Sequence, residues 1–227
     1  MFFGDYMQKI DTILFDLDGT LVDSNNLILE TFKRTFQLHF SNKILTQNDL
    51  IQMMGPPLQE TFSRFSSDTN VVNSMINSYR DIYQQIEFDY VKPYPHIIET
   101  LKAFKDANFN IGIVTTKFKE SAMPSINRFG IDKYIDVIIG LDDVKNHKPH
   151  AEPVLKALQY FKHQQALMVG DSPGDLQSGA NAGILTCGVD WSYRRDELIS
   201  LKPTFWLLDF IDLYPTVKKY NEDIKGE

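Results

Sequence analysis

Apolar residues form short continuous runs along the chain, and segments with helical spacing separate the later runs. Helical apolar spacing is found at about 97–107, 120–129, 152–161, 176–182 and 209–220. Runs of strand length, rich in Ile, Val and Leu, are found at 12–15, 110–115, 135–139, 166–169, 184–189 and 204–207. Continuous apolar strands that alternate with helices are typical of an α/β protein with a buried parallel sheet. We therefore predict a doubly wound parallel sheet that includes the run at 12–15.

Residues 23–90 interrupt this alternation, because they show helical patterns and no convincing strand. In the first helix, the residues that recur at helical spacing are Leu29, Phe32, Phe36 and Phe40. Asn48 or Asp49 is suited to open a second helix that ends near Gly55, and two more are predicted at 58–65 and 70–86. We predict an all-α cap domain at 23–90, inserted into an α/β core domain made of 8–22 and 91–227. The hinge strands between the two are predicted at 22–25 and 90–95.

The composition permits a sizeable apolar core and argues against several kinds of partner. The 227 residues are 43% hydrophobic, and the net charge of −7 makes a nucleic-acid surface unfavourable. No stretch approaches the ~20 apolar residues of a membrane span, and the start, Met1–Gln8, lacks the apolar region of a signal peptide. Cys187 is the single cysteine, so an internal disulfide cannot form, which favours the cytoplasm. We expect a monomer or a weak homodimer that binds a small molecule.

Two acidic residues directly follow the run at 12–15, in the order Asp16-Leu17-Asp18-Gly19-Thr20. Ligands of parallel α/β sheets collect at the carboxyl ends of the strands, so Asp16 and Asp18 lie where chemistry is expected. Carboxylates this close repel each other unless a cation or a proton intervenes. Mg²⁺ is often held by one or two carboxylates together with phosphate oxygens, so this segment predicts a magnesium site. The alternative is a turn in which Asp18 caps the next helix, since Asp and Gly are common turn residues.

Three later segments place polar groups at or near other strand ends. Thr115 offers a hydroxyl to a phosphoryl oxygen, or it caps the next helix. Lys148 stands before Pro149, which restricts the backbone, so its ammonium could neutralise a carboxylate and a phosphoryl oxygen together; the alternative is a solvated surface charge. Asp171, close to a strand end, is the better direct metal ligand. Asp175, one turn further, is placed to hold a water on the metal, to orient Lys148 or to cap a helix.

Four segments resemble, in this order, the motifs of the haloacid dehalogenase (HAD) superfamily of aspartate-nucleophile phosphohydrolases: Asp16–Thr20, Thr115, Lys148 and Gly170–Asp175. The resemblance covers nearly the whole chain after Met7. The helical insert between Asp18 and Thr115 looks like the first (C1) cap type of the superfamily. The resemblance therefore implies an HAD-like Rossmannoid core with an inserted cap. Ala151 departs from the pattern, because relatives often carry a second proline at that point.

The same resemblance implies a phosphohydrolase that works through an aspartyl-phosphate intermediate. Asp16 would attack phosphorus, and Asp18 would protonate the leaving oxygen and later deprotonate the attacking water. Thr115 and Lys148 would hold the phosphoryl oxygens while their charge shifts. The implied cofactor is Mg²⁺, and the residues expected around it are Asp16, Asp18 through its backbone carbonyl, Asp171 and, nearby, Asp175.

Within the superfamily, the chain looks most like PpaX-type inorganic pyrophosphatases and small bacterial phosphoglycolate phosphatases. The segments that carry this closer resemblance are Gly55-Pro56-Pro57-Leu58, Thr61-Phe62, 112–117, 141–144 and Gly188-Val189-Asp190-Trp191. In such caps the loop at Gly55 faces the leaving group, so Gly55 is predicted to bind substrate. Thr116 and Lys148 are predicted to bind it as well. The alternative is that the loop at Gly55 is only a turn between two helices. Cations for a phosphate leaving group could come from any of Lys117, Arg64 and Arg80, and the sequence does not choose among them.

Three functions remain open from the sequence. The first is a Mg²⁺-dependent phosphohydrolase acting on pyrophosphate, phosphoglycolate or another small phosphomonoester. The second is a phospho-acceptor signalling module, since receiver domains also combine acidic residues, a hydroxyl residue and a lysine on a parallel sheet. Asp18 and a helical lid argue against it, because a receiver needs neither a leaving-group acid nor a lid. The third is an inactive relative used for binding, although every catalytic position is filled.

Overall fold

A computed structural model of the chain describes residues 8–40 and 45–224. The prediction about the start of the chain lies outside these residues, apart from Gln8. The strands are β1 Ile10–Phe15, β2 Val22–Asp23, β3 Lys92–Pro93, β4 Asn110–Val114, β5 Val137–Ile139, β6 Gln165–Gly170, β7 Leu185–Val189 and β8 Phe205–Leu207. The α-helices are α1 Asn25–His39, α2 Gln47–Gln52, α3 Leu58–Ser63, α4 Thr69–Tyr90, α5 Ile97–Asp106, α6 Lys119–Arg128, α7 Glu152–Leu158, α8 Pro173–Asn181, α9 Arg195–Ser200 and α10 Leu213–Asp223. Short 3₁₀ helices occupy Ile131–Tyr134, Leu141–Asp143 and Phe210–Asp212.

Strand β1 lies inside the main sheet and is flanked by strands distant in sequence. The order of hydrogen-bonded strands is β5-β4-β1-β6-β7-β8, and each neighbouring pair is parallel. Phe15 at the end of β1 lies opposite Ile113 of β4 and Val169 of β6, so these strands end at the same edge. The predicted doubly wound parallel sheet is confirmed.

Both faces of β1 are covered by apolar side chains, which explains why its sequence is continuously apolar. Ile13, Leu14 and Phe15 are fully buried. Leu14 belongs to a cluster on one face that includes Met168 of β6 and Val154 of α7. Ile13 and Phe15 belong to a larger cluster on the opposite face, as the alternation of side chains along a strand requires.

Helices α1, α3 and α4 pack together through aromatic rings. Phe32 and Phe36 of α1 lie 5.8 and 6.1 Å from the ring of Phe62 in α3, and Phe32 lies 4.8 Å from Tyr79 in α4. Burial of such large rings is the main stabilisation available to short helices of this kind. Among the described residues between β2 and β3, all regular elements are helices, so the predicted helical character of this segment is confirmed there. The division of the chain into two domains at residues 23 and 90 stays a prediction.

A short ribbon joins these helices to the rest of the chain. Strands β2 and β3 pair antiparallel, with Val22 opposite Pro93. The structure therefore contains strands inside both segments predicted as hinges. They are shorter than predicted, because α1 begins at Asn25, soon after the first strand, and α4 continues through Tyr90 before the second strand begins.

Local boundaries differ from the sequence predictions at several points. The N-cap of α2 is Thr46, not Asn48 or Asp49, because Thr46 and Asp49 form a reciprocal capping box. Strand β5 begins at Val137, two residues later than predicted, after the 3₁₀ helix and its exit. Helix α9 lies in a segment for which no helix was predicted.

Helix α5 carries an apolar stripe on one side only. In α5, Ile97, Leu101 and Phe104 are buried, whereas Lys102 between them is exposed. This pattern is that of a helix lying on a protein core. Within the described part of the chain, no helix combines the length and the apolar character that crossing a membrane requires.

Candidate active site

The ends of strands β1, β4 and β6 bring three predicted site residues to one edge of the sheet. The Asp16 N–H donates to the Val169 carbonyl over 3.0 Å, and the Thr115 N–H donates to the Ile139 carbonyl over 2.9 Å. Asp171 comes directly after β6. These bonds continue the parallel ladder one residue beyond β1 and β4, so the sheet itself fixes where the Asp16 and Thr115 side chains begin.

Lys148 reaches this edge from the loop before α7, and only 6% of its surface is exposed. Its Nζ donates to Oδ1 of Asp16 (2.6 Å), Oδ1 of Asp175 (2.5 Å) and the carbonyl of Val114 (3.0 Å). These acceptors use all the N–H donors of an ammonium group. Burial lowers the pKa of Lys148, but Asp16 and Asp175 more than offset this effect and hold its pKa above the ordinary value. The buried amine therefore stays charged beside Asp16.

Asp175 is fully buried in the first turn of α8. Its Oδ1 accepts from Lys148, and its Oδ2 accepts from the N–H and the hydroxyl of Ser172 over 2.9 and 2.7 Å. Both carboxylate oxygens thus have partners within the protein. Among the roles predicted for Asp175, this geometry favours orienting Lys148 and capping α8 over direct coordination of a metal.

Asp171 is held against the loop that follows Asp16. The Thr20 hydroxyl donates to Oδ1 of Asp171 over 3.1 Å, and the Ser192 hydroxyl donates to its backbone carbonyl over 2.5 Å. Gly19 has a φ of +84°, and a Cβ at this position would lie 2.2 Å from Oδ2 of Asp171. Glycine is therefore required both by the backbone conformation and by the carboxylate. Thr20 belongs to the motif Asp16–Thr20 but was given no role of its own, and Ser192 stands in none of the motifs found in the sequence.

Asp16, Asp171 and Asp175 form a carboxylate cluster whose chemistry fits a divalent cation. Each offers an oxygen that lies within 4.8 Å of the others. Burial raises the pKa of Asp16 from 3.8 to about 7, with Lys148 opposing this effect and Asp175 adding to it. Burial and the nearby Asp16 also raise the pKa of Asp171 well above its ordinary value. A desolvated, all-oxygen donor set of this kind is suited to Mg²⁺.

The carboxylate of Asp18 has partners different from those of the cluster. Its Oδ1 accepts from the Ser24 hydroxyl over 2.6 Å and from Lys117 Nζ over 3.1 Å. Lys117 Nζ also donates to the Tyr83 hydroxyl over 2.7 Å. This side-chain geometry suits the predicted acid–base role of Asp18. Coordination of a metal by its backbone carbonyl stays a prediction.

A cavity of about 700 Å³ lies between the strand ends and the helices α1, α3 and α4. Its walls include Asp16, Thr115 and Lys148 on the side of the sheet, and Phe32 and Tyr79 on the side of the helices. A cavity of this volume that combines apolar walls with a few convergent polar groups is typical of a small-molecule site.

The predicted substrate residues Gly55 and Thr116 are in contact with each other at this cavity. The Thr116 hydroxyl donates to the Gly55 carbonyl over 2.9 Å, and Gly55 has a φ of +100° that favours glycine. Among the candidate cations, Lys117 and Arg80 line the cavity. Arg64 forms an exposed ion pair with Glu60 over 2.8 Å and is not among the described residues that line it.

We expect Mg²⁺ to raise the melting temperature of the unaltered chain, because it neutralises the carboxylate cluster in the folded state only. A ligand at 100 times its Kd stabilises by about 2.7 kcal/mol, which corresponds to roughly 5–10 °C for a chain of this size. Asp171→Asn should melt at a higher temperature than the unaltered chain without metal and should lose the response to Mg²⁺. Thermal unfolding with and without Mg²⁺ measures both effects. Asp106→Asn, an exposed change on α5, is the control and should keep the full response.

The size of this Mg²⁺ response is expected to grow as the pH rises. The pKa of Asp16 lies at about 7 in the folded chain against 3.8 ordinarily, so between these values the folded state retains a proton that the unfolded state has lost. The metal-free chain therefore loses stability as the pH rises through this interval. A cation competes with the same proton, so it gains affinity over the same interval. A response that is independent of pH, or one that survives in Asp171→Asn, would contradict the predicted metal site.

Comparison with known proteins places this geometry in a family. The family model for haloacid dehalogenase-like hydrolases matches residues 13–189. A curated relative, pyrophosphatase PpaX of Bacillus cereus strain B4264, is 38% identical over 217 residues, which make up 94% of this chain and 99% of the relative. Pyrophosphatase PpaX of Bacillus thuringiensis strain Al Hakam is also 38% identical over the same shares of both chains.

Solved structures agree with the family model. A haloacid dehalogenase-like family hydrolase from Streptococcus pneumoniae has a TM-score of 0.78 at 26% identity, covering 91% of this chain and 98% of its own. A predicted phosphoglycolate phosphatase from Haemophilus somnus 129PT shares the fold, with a TM-score of 0.81 at 24% identity over 92% of this chain and 99% of its own. The resemblance carried by the motifs is confirmed. The chain belongs to the haloacid dehalogenase-like hydrolases and is an enzyme of that family.

Proposed function

We propose that this chain is a Mg²⁺-dependent inorganic pyrophosphatase that works through an aspartyl-phosphate intermediate on Asp16. The observation that carries the proposal is the buried position of Asp16, with its Oδ1 2.6 Å from the Lys148 ammonium and Asp171 beside it, at a cavity wall. A carboxylate that lies beside fixed positive charge and has few water molecules around it is suited to act as a nucleophile.

Asp16 attacks the phosphorus atom, and the bond from phosphorus to the leaving oxygen breaks as the new bond forms. Asp18 donates a proton to the leaving oxygen. It then accepts a proton from the water that hydrolyses the aspartyl phosphate, which restores Asp16. Proton transfer of this kind typically contributes ~10²–10⁴-fold. Ser24 and Lys117 fix the orientation of the Asp18 carboxylate in both steps.

Thr115 binds a phosphoryl oxygen whose charge changes during the transfer, and the fixed positive charge of Lys148 stabilises that change. The Thr115 Oγ1 accepts from the Lys117 N–H over 3.2 Å, which orients the hydroxyl while leaving its hydrogen for a phosphoryl oxygen. Lys148 is immobilised by Asp175, so its charge is already in place when substrate arrives. Asp16 and Asp171 would hold the Mg²⁺. When bound, the ion would supply the positive charge that lets two anions, the carboxylate and the phosphoryl group, approach each other.

Pyrophosphate is the proposed substrate because curated relatives that match almost the whole chain are named pyrophosphatases. A second candidate is phosphoglycolate or another small phosphomonoester. The observation that favours it is the cavity of about 700 Å³, whose partly apolar walls leave room for an organic leaving group. A signalling module is the alternative from another class, and turnover distinguishes it from both.

The test is phosphate release from pyrophosphate, phosphoglycolate and p-nitrophenyl phosphate, each with Mg²⁺ and with a chelator. We expect the highest kcat/KM for pyrophosphate and no turnover without the metal. Turnover that persists in the chelator would contradict the metal-dependent mechanism. Pyrophosphate hydrolysis no faster than that of p-nitrophenyl phosphate would refute the pyrophosphatase assignment while leaving a phosphomonoesterase. Phosphorylation of the chain without multiple turnovers would identify the signalling module.

We further propose that the enzyme works in the cytoplasm on a small phosphorylated molecule. Cys187 is buried, and burial raises the pKa of its thiol to about 12, so the thiol is inert and serves packing. A chain that depends on no disulfide is suited to a reducing compartment.

A further inference from the structure

Lys117 lies between the leaving-group acid and the helices that cover the cavity. Its Nζ is 3.1 Å from Oδ1 of Asp18 and 2.7 Å from the hydroxyl of Tyr83 in α4, and it also lies 4.5 Å from the centre of the Tyr83 ring. The Lys117 side chain is 19% exposed. The contacts with Tyr83 and Asp18 therefore hold a mostly desolvated ammonium at a defined position in the cavity wall.

The other cationic side chains that line the cavity, among the described residues, have partners other than Asp18. Lys148 binds Asp16 and Asp175. Arg194 donates to both carboxylate oxygens of Glu197 over 2.9 and 2.6 Å. Arg80 is exposed, and its guanidinium lies 5.1 Å from the ring centre of Phe118. Lys117 is thus the cation that stands beside Asp18.

The position of the leaving group follows from the acid that protonates it. A general acid must lie within about 2.6–3.2 Å of the oxygen to which it gives its proton. Because Lys117 Nζ is 3.1 Å from Oδ1 of the same carboxylate, a leaving group bound to Asp18 lies close to the Lys117 ammonium. The hydroxyl of Thr116, the residue before Lys117, donates to the Gly55 carbonyl at the same cavity.

We propose that Lys117, positioned by Tyr83, binds the leaving group and selects substrates whose leaving group is an anion, such as the second phosphate of pyrophosphate. The proposal rests on the proposed function, since it assumes transfer of the phosphoryl group to Asp16. It assigns substrate selection to a residue of the core loop after β4, with a tyrosine from the covering helix as its support.

Several carboxyls line the cavity and oppose an anion, and burial weakens this effect for Glu87, which lies on the same helix as Tyr83. Glu87 lies one turn after Tyr83 on α4 and lines the same cavity. Burial raises the pKa of the Glu87 carboxyl above its ordinary value. Its Oε1 is buried and has no hydrogen-bond partner among the described residues. The raised pKa favours the neutral form of this carboxyl, which repels a phosphate less than the ionised form does.

The experiment compares Lys117→Met with the unaltered enzyme on substrates that differ in the leaving group. Pyrophosphate and phosphoglycolate have anionic leaving groups. Ethyl phosphate has a neutral leaving group that requires protonation, and p-nitrophenyl phosphate has an aryl leaving group that hardly requires it. We expect kcat/KM to fall ~10–100-fold on pyrophosphate and phosphoglycolate, because one charge-assisted hydrogen bond to the leaving group is lost. On ethyl phosphate and p-nitrophenyl phosphate it should fall less than about 5-fold. Tyr83→Phe should lower kcat/KM less than Lys117→Met does, with the same ranking of the four substrates.

Lys119→Met is the matched control, because Lys119 lies two residues further along and is paired with Asp143 at 2.8 Å outside the cavity. It should leave all four substrates unchanged. Equal losses of Lys117→Met on pyrophosphate and ethyl phosphate, with p-nitrophenyl phosphate spared, would show that Lys117 acts only through Asp18 and would overturn the proposal. Equal losses on all four would also overturn it. If the unaltered enzyme does not hydrolyse pyrophosphate, the pyrophosphatase assignment fails, and phosphoglycolate against ethyl phosphate still tests Lys117.

Discussion

Replacing Asp16 by asparagine should lower kcat/KM for every substrate by at least ~10⁴-fold, because the attacking oxygen is lost and covalent catalysis cannot begin. The amide keeps the size of the carboxyl, so binding of the substrate should change far less than kcat. Lys148 keeps Asp175 as its partner in this variant, so the buried ammonium remains paired. Steady-state kinetics with pyrophosphate and p-nitrophenyl phosphate measure the effect, and thermal unfolding confirms that the variant is folded.

The folded stability of Asp16→Asn separates a catalytic defect from a structural one. The substitution removes a carboxyl whose burial raises its pKa to about 7, so near neutral pH the metal-free variant should melt no lower than the unaltered chain. Asp132→Asn, on the exposed first turn of the 3₁₀ helix Ile131–Tyr134, is the matched control and should retain full activity. Substantial turnover by a folded Asp16→Asn would exclude Asp16 as the nucleophile.

The main sheet was predictable from the sequence because its central strands are buried on both faces. Such strands show continuous apolar runs, as β1 does with Ile13, Leu14 and Phe15. Helix α9 was not predictable in the same way, since it has six residues and buries only Leu198. A single apolar contact leaves no periodicity for the sequence to show.

The N-cap of α2 was mispredicted for a related reason. Thr46, Asn48 and Asp49 are all suitable capping residues, and they stand within four positions of one another. Only the reciprocal bonds of the folded chain decide between them: the Asp49 carboxylate accepts from the Thr46 N–H, and the Asp49 N–H donates to the Thr46 hydroxyl. Local composition therefore indicates that a helix starts here but not at which residue.

The carboxylates and Lys148 could be anticipated because each stands at a strand end or in a loop beside one. The contacts between them depend on the strand order β4-β1-β6, which no local pattern contains. The supporting groups were less accessible still. The Trp191 indole N–H donates to the Gly19 carbonyl over 3.0 Å, although the two residues are 172 positions apart in the sequence. Lys117 donates to the hydroxyl of Tyr83 on helix α4. Such pairs bridge separate elements, so only the assembled fold shows them.

Replacing Asp18 by asparagine should have the second-largest effect, and its size should depend on the leaving group. With pyrophosphate, kcat/KM should fall ~10²–10⁴-fold, because the leaving phosphate oxygen receives no proton from the amide. With p-nitrophenyl phosphate, the first step should persist, since the nitrophenolate is stable without a proton. The second step should still be slow, because no base at position 18 activates the water.

The two-step mechanism therefore predicts a burst for Asp18→Asn that the unaltered enzyme lacks. About one nitrophenolate per site should appear rapidly, followed by slow turnover, as covalent catalysis with a slow second step requires. Mass spectrometry of the quenched variant should show one added phosphoryl group, and Asp16→Asn/Asp18→Asn should show neither burst nor added mass. Asp81→Asn, an exposed change on α4, serves as the control. Equal slowing with both substrates and no burst would show that Asp18 only holds Asp16 in place. A residue with that role slows the first step whatever the leaving group.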